Sequence, residues 1–139
     1  MTGLVPQGEP REEGSAVVEF IYLSVVLMIP LVYVLLGVFD TQRASFGVTE
    51  AARQAGRTWI TSGCDRDRAA AAARLALADQ GVQARSITIP AGCPGPGERG
   101  TVVVSSFVQL RGVGALLPAG RGGFEVSGRF VAVRDRFAP

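Results

Sequence analysis

Polarity is distributed very unevenly along this chain. From Phe20 to Phe39 the run FIYLSVVLMIPLVYVLLGVF continues for twenty positions without a charge. As a helix rising about 1.5 Å per residue it spans about 30 Å, the thickness of one bilayer hydrocarbon core. A buried helix of a soluble domain seldom goes that far without a polar stripe. Pro30 lies in the middle of the run, where it would break a helix in water but is tolerated as a kink within a membrane. The exit reads Asp40, Thr41, Gln42, Arg43 and lacks the small-residue cleavage site of a secretory signal peptide. Residues 15–39 are therefore read as a retained transmembrane anchor.

Beyond the run the pattern stays helical. Thr41, Ala44, Val48, Ala51, Ala55 and Trp59 recur at three- and four-residue steps, while Phe46, Glu50, Arg53 and Arg57 fall on the opposite side. This predicts a helical extension over 40–62 with a face of small residues, suited to seating the chain's own domain or to contacting another subunit. Taken from about Ala16 to Ser62, the helix would be roughly 70 Å long. Gly63 reads as its stop, and Ser62 or Asp65 with Asp67 opens a second helix over 65–80, closed by Gly81. The apolar side of that helix is Ala69, Ala70, Ala73, Ala76 and Leu77, and its run of five alanines expresses helix propensity rather than a site.

Period-two alternation then predicts strands over 84–90, 101–110 and 124–134, separated by Pro- and Gly-rich turns such as Cys93-Pro94-Gly95-Pro96-Gly97. In the last strand Phe124, Val126, Phe130 and Ala132 share one face, and Glu125, Ser127 and Arg129 the other. The apolar island Val113, Ala115, Leu116, Leu117 between the last two strands reads as a closure of the core, the alternative being a patch that docks on a partner. The fold class is α+β: a long N-terminal helix, membrane-spanning and then exposed, with a second helix packed on a small, roughly three-stranded antiparallel sheet.

Composition narrows the chemistry. The 139 residues leave room for one small domain besides the anchor. Histidine is absent, which removes His-based acid–base catalysis, the Ser-His-Asp triad and the commonest zinc or copper ligand. Asp40, Glu50, Asp65, Asp67 and Asp79 read as solvated helix positions, so no catalytic residue, metal, cofactor or small-molecule substrate is expected and the chain is not read as an enzyme. All fourteen basic residues are arginines, spaced along the chain at a net charge of +2, and give no electrostatic footprint for nucleic acid. Cys64 and Cys93 are the only cysteines. They lack a metal or redox spacing and stand at element boundaries, so a disulfide between them in an oxidising compartment is the plain expectation.

Directly before the apolar run stands Arg11-Glu12-Glu13-Gly14-Ser15-Ala16-Val17-Val18-Glu19-Phe20. A carboxylate at the mouth of a membrane helix is costly and normally has a functional partner. A glycine followed five residues later by a glutamate, heading an apolar helix, resembles the leader of type IV pilins and pseudopilins. Together with Val48-Thr49-Glu50-Ala51-Ala52-Arg53-Gln54-Ala55-Gly56-Arg57 it looks like the TadE-like, tight-adherence branch. The resemblance covers roughly residues 12 to 60.

It implies a leader peptide over 1–14, cut by a prepilin peptidase between Gly14 and Ser15, and an assembly role for Glu19 opposite the free amine of a neighbouring subunit. Two groups that are each expensive alone in lipid become tolerable as a pair. The implied partners are membrane lipid, the peptidase, other pilin or pseudopilin subunits and the pilus assembly platform. Phe20 stands where the family's major pilins often have Tyr, and a large domain follows, both of which fit a minor, priming or tip-associated component.

Orientation sets two rules against each other. Only Arg11 precedes the run closely, whereas Arg43, Arg53 and Arg57 follow it, which by the positive-inside rule favours a cytoplasmic C-terminus. That rule is weak for a following domain of about a hundred residues, and the cysteine pair fits an oxidising exterior. The expectation is a single-pass cell-membrane protein, its N-terminus cytoplasmic before processing and the domain over 40–139 extracytoplasmic. The alternative is a signal-anchored surface binding protein with no pilus role.

Overall fold

The computed structural model describes residues 13–110 and 122–137. The leader up to residue 12 and the apolar island Val113, Ala115, Leu116, Leu117 lie outside the described residues. Helix α1 covers Glu13–Thr61 and α2 Arg66–Asp79, followed by strands β1 (Ala84–Thr88), β2 (Arg99–Gln109) and β3 (Gly123–Val133). The strands form one antiparallel sheet in the order β1-β2-β3. The architecture is α+β. The chain divides into two compact units at Leu35 and Leu36; the first, as described, is the helical stretch from Glu13 to Leu35, which carries Pro30 within α1.

The second unit is built on the small-residue face of α1. Ala44, Val48, Ala51, Ala52, Ala55 and Trp59 are buried, while Phe46, Glu50, Arg53 and Arg57 are exposed. The face is thus the seat of the chain's own core. Gly63, at φ +72°, ends the helix in the left-handed conformation, and Cys64 follows at φ 68°. Of the two residues that were equally able to open α2, Asp65 does so: its Oδ1 accepts from the backbone N–H groups of Asp67 (3.0 Å) and Arg68 (3.1 Å). Ala69, Ala73 and Leu77 are buried, with Ala70 and Ala76 partly so.

The sheet supplies the other wall through Val102 and Val104 of β2 and Ala132 of β3, with Val126 and Phe130 packed beside them. Close approaches set the distance between helix and sheet, among them that of Gly56 of α1 to the ring of Phe130. Gly128 of β3 has no room for a Cβ against the carbonyl of Val48, and Gly100 of β2 has none against the indole of Trp59. Glycine is required at both because backbone and ring occupy the side-chain space.

Strand limits differ from the alternation pattern at their ends. β2 begins at Arg99 because Arg99 pairs with Val133 and Gly100 with Ala132, extending the ladder into the glycine-rich turn. β1 stops at Thr88, before Pro90, which has no N–H to add to a ladder. A bulge falls between Ala84 and Ser86, so Arg85 stands out of register with β2. Its guanidinium lies 5.5 Å from the centre of the Phe107 ring and 3.5 Å from Glu125, forming a row across the sheet face away from the core.

Alanine and valine dominate this core. Each buried CH₂ contributes only about 0.8 kcal/mol, so a domain of this size gains proportionately more from a covalent staple.

Candidate functional site

The residues singled out in the sequence lie at the start of α1 and at the turn that follows it. Gly14 and Ser15 are already helical, in the first turn of α1. The helix therefore begins ahead of the expected start near Ala16. Nothing lies within 4 Å of where a Cβ on Gly14 would stand. Ser15 and Glu19 are exposed and four residues apart, one above the other on the same helix face. Among the described residues Glu19 has no ion-pair partner. Its carboxylate projects from the same stripe as the Ser15 backbone, one turn away.

Every large hydrophobic side chain from Phe20 to Phe39 is exposed, between 44% and 72%. This is the opposite of a core helix, which would bury one stripe. Only 6% of the most apolar 18-residue stretch is buried within the protein. Exposed apolar surface on this scale marks a site of interaction. The helix is long and apolar enough to cross a membrane, and it stands near the N-terminus.

Cys64 and Cys93 belong to the second unit and are joined by a disulfide with Cα atoms 5.5 Å apart. The bond ties the left-handed turn after α1 to the loop that precedes β2. Arg134, at the end of β3, reinforces that loop: its Nη1 donates to the carbonyl of Pro94 (3.4 Å) and lies 3.5 Å from the Cys93 sulfur. Glu98 closes the loop from within, its Oε2 accepting from the Gly95 N–H (2.8 Å). Neither Arg134 nor Glu98 stood out in the sequence, since an arginine at a strand end and a glutamate between glycines are common exposed residues.

No group of three or more His, Cys, Asp or Glu side chains able to hold a metal ion occurs among the described residues. What the geometry offers is an apolar stretch of α1 with every large side chain from Phe20 to Phe39 exposed, a carboxylate at its start, and a small domain clipped by a disulfide. Comparison with family models, with curated proteins and with solved structures finds no match to this chain.

Proposed function

We propose that this chain is a membrane-anchored minor pilin or pseudopilin of the tight-adherence kind, cut by a prepilin peptidase between Gly14 and Ser15 and assembling through its N-terminal helix. The single observation that carries the reading is α1 itself. One unbroken helix presents exposed apolar side chains from Phe20 to Phe39 and then buries Val48, Ala51, Ala55 and Trp59 in a small domain. Such a helix inserts its first half in lipid and carries a domain on the second. Glu19 is exposed and one turn from Ser15, and on this reading it pairs with the amine freed by cleavage of a neighbouring copy. The disulfide favours an extracytoplasmic domain, because such bonds persist outside the reducing cytosol.

Mass analysis of the N-terminus of protein taken from native membranes tests the proposal. The mature chain should begin at Ser15 when a prepilin peptidase is present and at Met1 or Thr2 when it is absent. An intact N-terminus in peptidase-positive cells refutes processing, and leaves a signal-anchored surface protein as the reading.

A further inference from the structure

Where the uncharged run ends, the second unit opens a pocket of about 470 Å³, walled by Asp40 and Arg43 of α1, Gln83 of the turn before β1, and Phe107 and Gln109 of β2. We propose that this pocket holds the phosphate of a membrane phospholipid, with Arg43 as its cationic ligand. The inference rests on the reading of Phe20 to Phe39 as a membrane anchor.

Position is the first argument. Asp40 follows directly on Phe39, and Arg43 comes four residues after it, about 6 Å further along the helix axis. The polar headgroup layer on each side of a bilayer is about 5–7 Å deep, so a chain whose hydrocarbon-spanning segment ends at Phe39 carries Arg43 at headgroup depth.

Chemistry is the second. Arg43 is exposed and has no ion-pair partner among the described residues, and a guanidinium offers paired N–H donors that match two phosphate oxygens. Gln83 and Gln109 are exposed, and their side-chain amides make no hydrogen bond among the described residues, which leaves N–H donors for the remaining oxygens. Asp40 brings a negative charge to the same wall, but it already has an interaction of its own. Phe107, 40% exposed, offers only the edge of its ring, since the Arg85 guanidinium lies 5.5 Å from the ring centre. At headgroup depth the phosphate such a pocket meets is the phosphodiester of a phospholipid.

Native mass spectrometry of the full chain, extracted from membranes in mild detergent and supplied with phosphatidylglycerol, tests the inference. The wild-type chain should retain one lipid, and Arg43→Gln should weaken retention about tenfold, the scale of one lost charge-assisted hydrogen bond. Arg53→Gln and Arg57→Gln, which lie outside this pocket, should retain the lipid as the wild type does. Equal retention by Arg43→Gln, equal losses in all three variants, or displacement of the lipid by millimolar inorganic phosphate would each overturn the pocket. Release of the chain from membranes by alkaline carbonate would instead overturn the anchor, and this inference with it.

Discussion

The indole of Trp59 lies against the backbone of Gly100, occupying the space a side chain at residue 100 would need. Trp59 is fully buried and its Nε1 has no hydrogen-bond partner among the described residues, so the ring serves as a spacer between α1 and β2 rather than as a polar contact. Gly100→Ala should destabilise the domain by about 1–3 kcal/mol through overpacking, and Trp59→Ala by about 3–5 kcal/mol through the cavity it leaves. Trp59→Phe should cost less than Trp59→Ala, because it removes an unsatisfied donor along with part of the ring. Denaturant unfolding monitored by circular dichroism ranks the three variants, and a Gly100→Ala protein as stable as the wild type would show that the ring can move aside.

Loss of the Cys64–Cys93 bond removes a closed loop with a sequence separation of 29. The chain-entropy account assigns such a loop about 3.6 kcal/mol. Cys64→Ala/Cys93→Ala should unfold at correspondingly lower denaturant, and alkylation of wild-type protein from intact cells under acid quench should label neither cysteine. Labelling of both would place the domain in a reducing compartment and return the decision on topology to Arg43, Arg53 and Arg57.

Capping by Asp65 is a local contribution separable from both of these. Its carboxylate accepts from two N–H groups of the first turn of α2 and lies 3.3 Å from the Arg68 guanidinium, an exposed pair that adds little. Asp65→Ala should cost about 1 kcal/mol and Asp65→Asn markedly less, since asparagine keeps the acceptor oxygen. Thermal unfolding of the two variants separates the cap from the charge.

Glu19→Ala leaves the apolar run intact, so it should insert in membranes and be processed as the wild type is. Assembly should nevertheless fall about a hundredfold or more, because leaving one partner of a buried ion pair alone costs about 3–5 kcal/mol. Co-purification with other pilin subunits provides the measurement, and unchanged recovery would mean that Glu19 only meets water at the interface. Gly14→Leu should act earlier, abolishing the cut while leaving insertion unchanged, which the mass of the N-terminus reports.

The parts of this protein that follow from short-range rules were legible in the sequence. Twenty uncharged residues announce a helix with apolar side chains on every face, and the three- and four-residue recurrence of Ala44, Val48, Ala51, Ala55 and Trp59 picks out the face that is buried. Gly63 and Gly81 mark the helix stops because they accept the left-handed backbone that ends a helix. The alternation of Phe124, Val126, Phe130 and Ala132 against Glu125, Ser127 and Arg129 separates the two sides of β3. Each of these patterns involves residues only a few positions apart, and is therefore written into the local order of the chain.

What remained hidden depends on residues far apart in the chain. Nothing near Gly100 announces that Trp59 will lie over it, and nothing near Gly128 announces the carbonyl of Val48, because only the packing of α1 on the sheet brings those pairs together. The same holds for Arg134, which reaches the carbonyl of Pro94 across 40 residues of sequence, and for the bulge at Arg85, which exists only in the pairing of β1 with β2. Close packing selects glycine or a long side chain at such places by the space left between elements, and that space exists only once the elements have met.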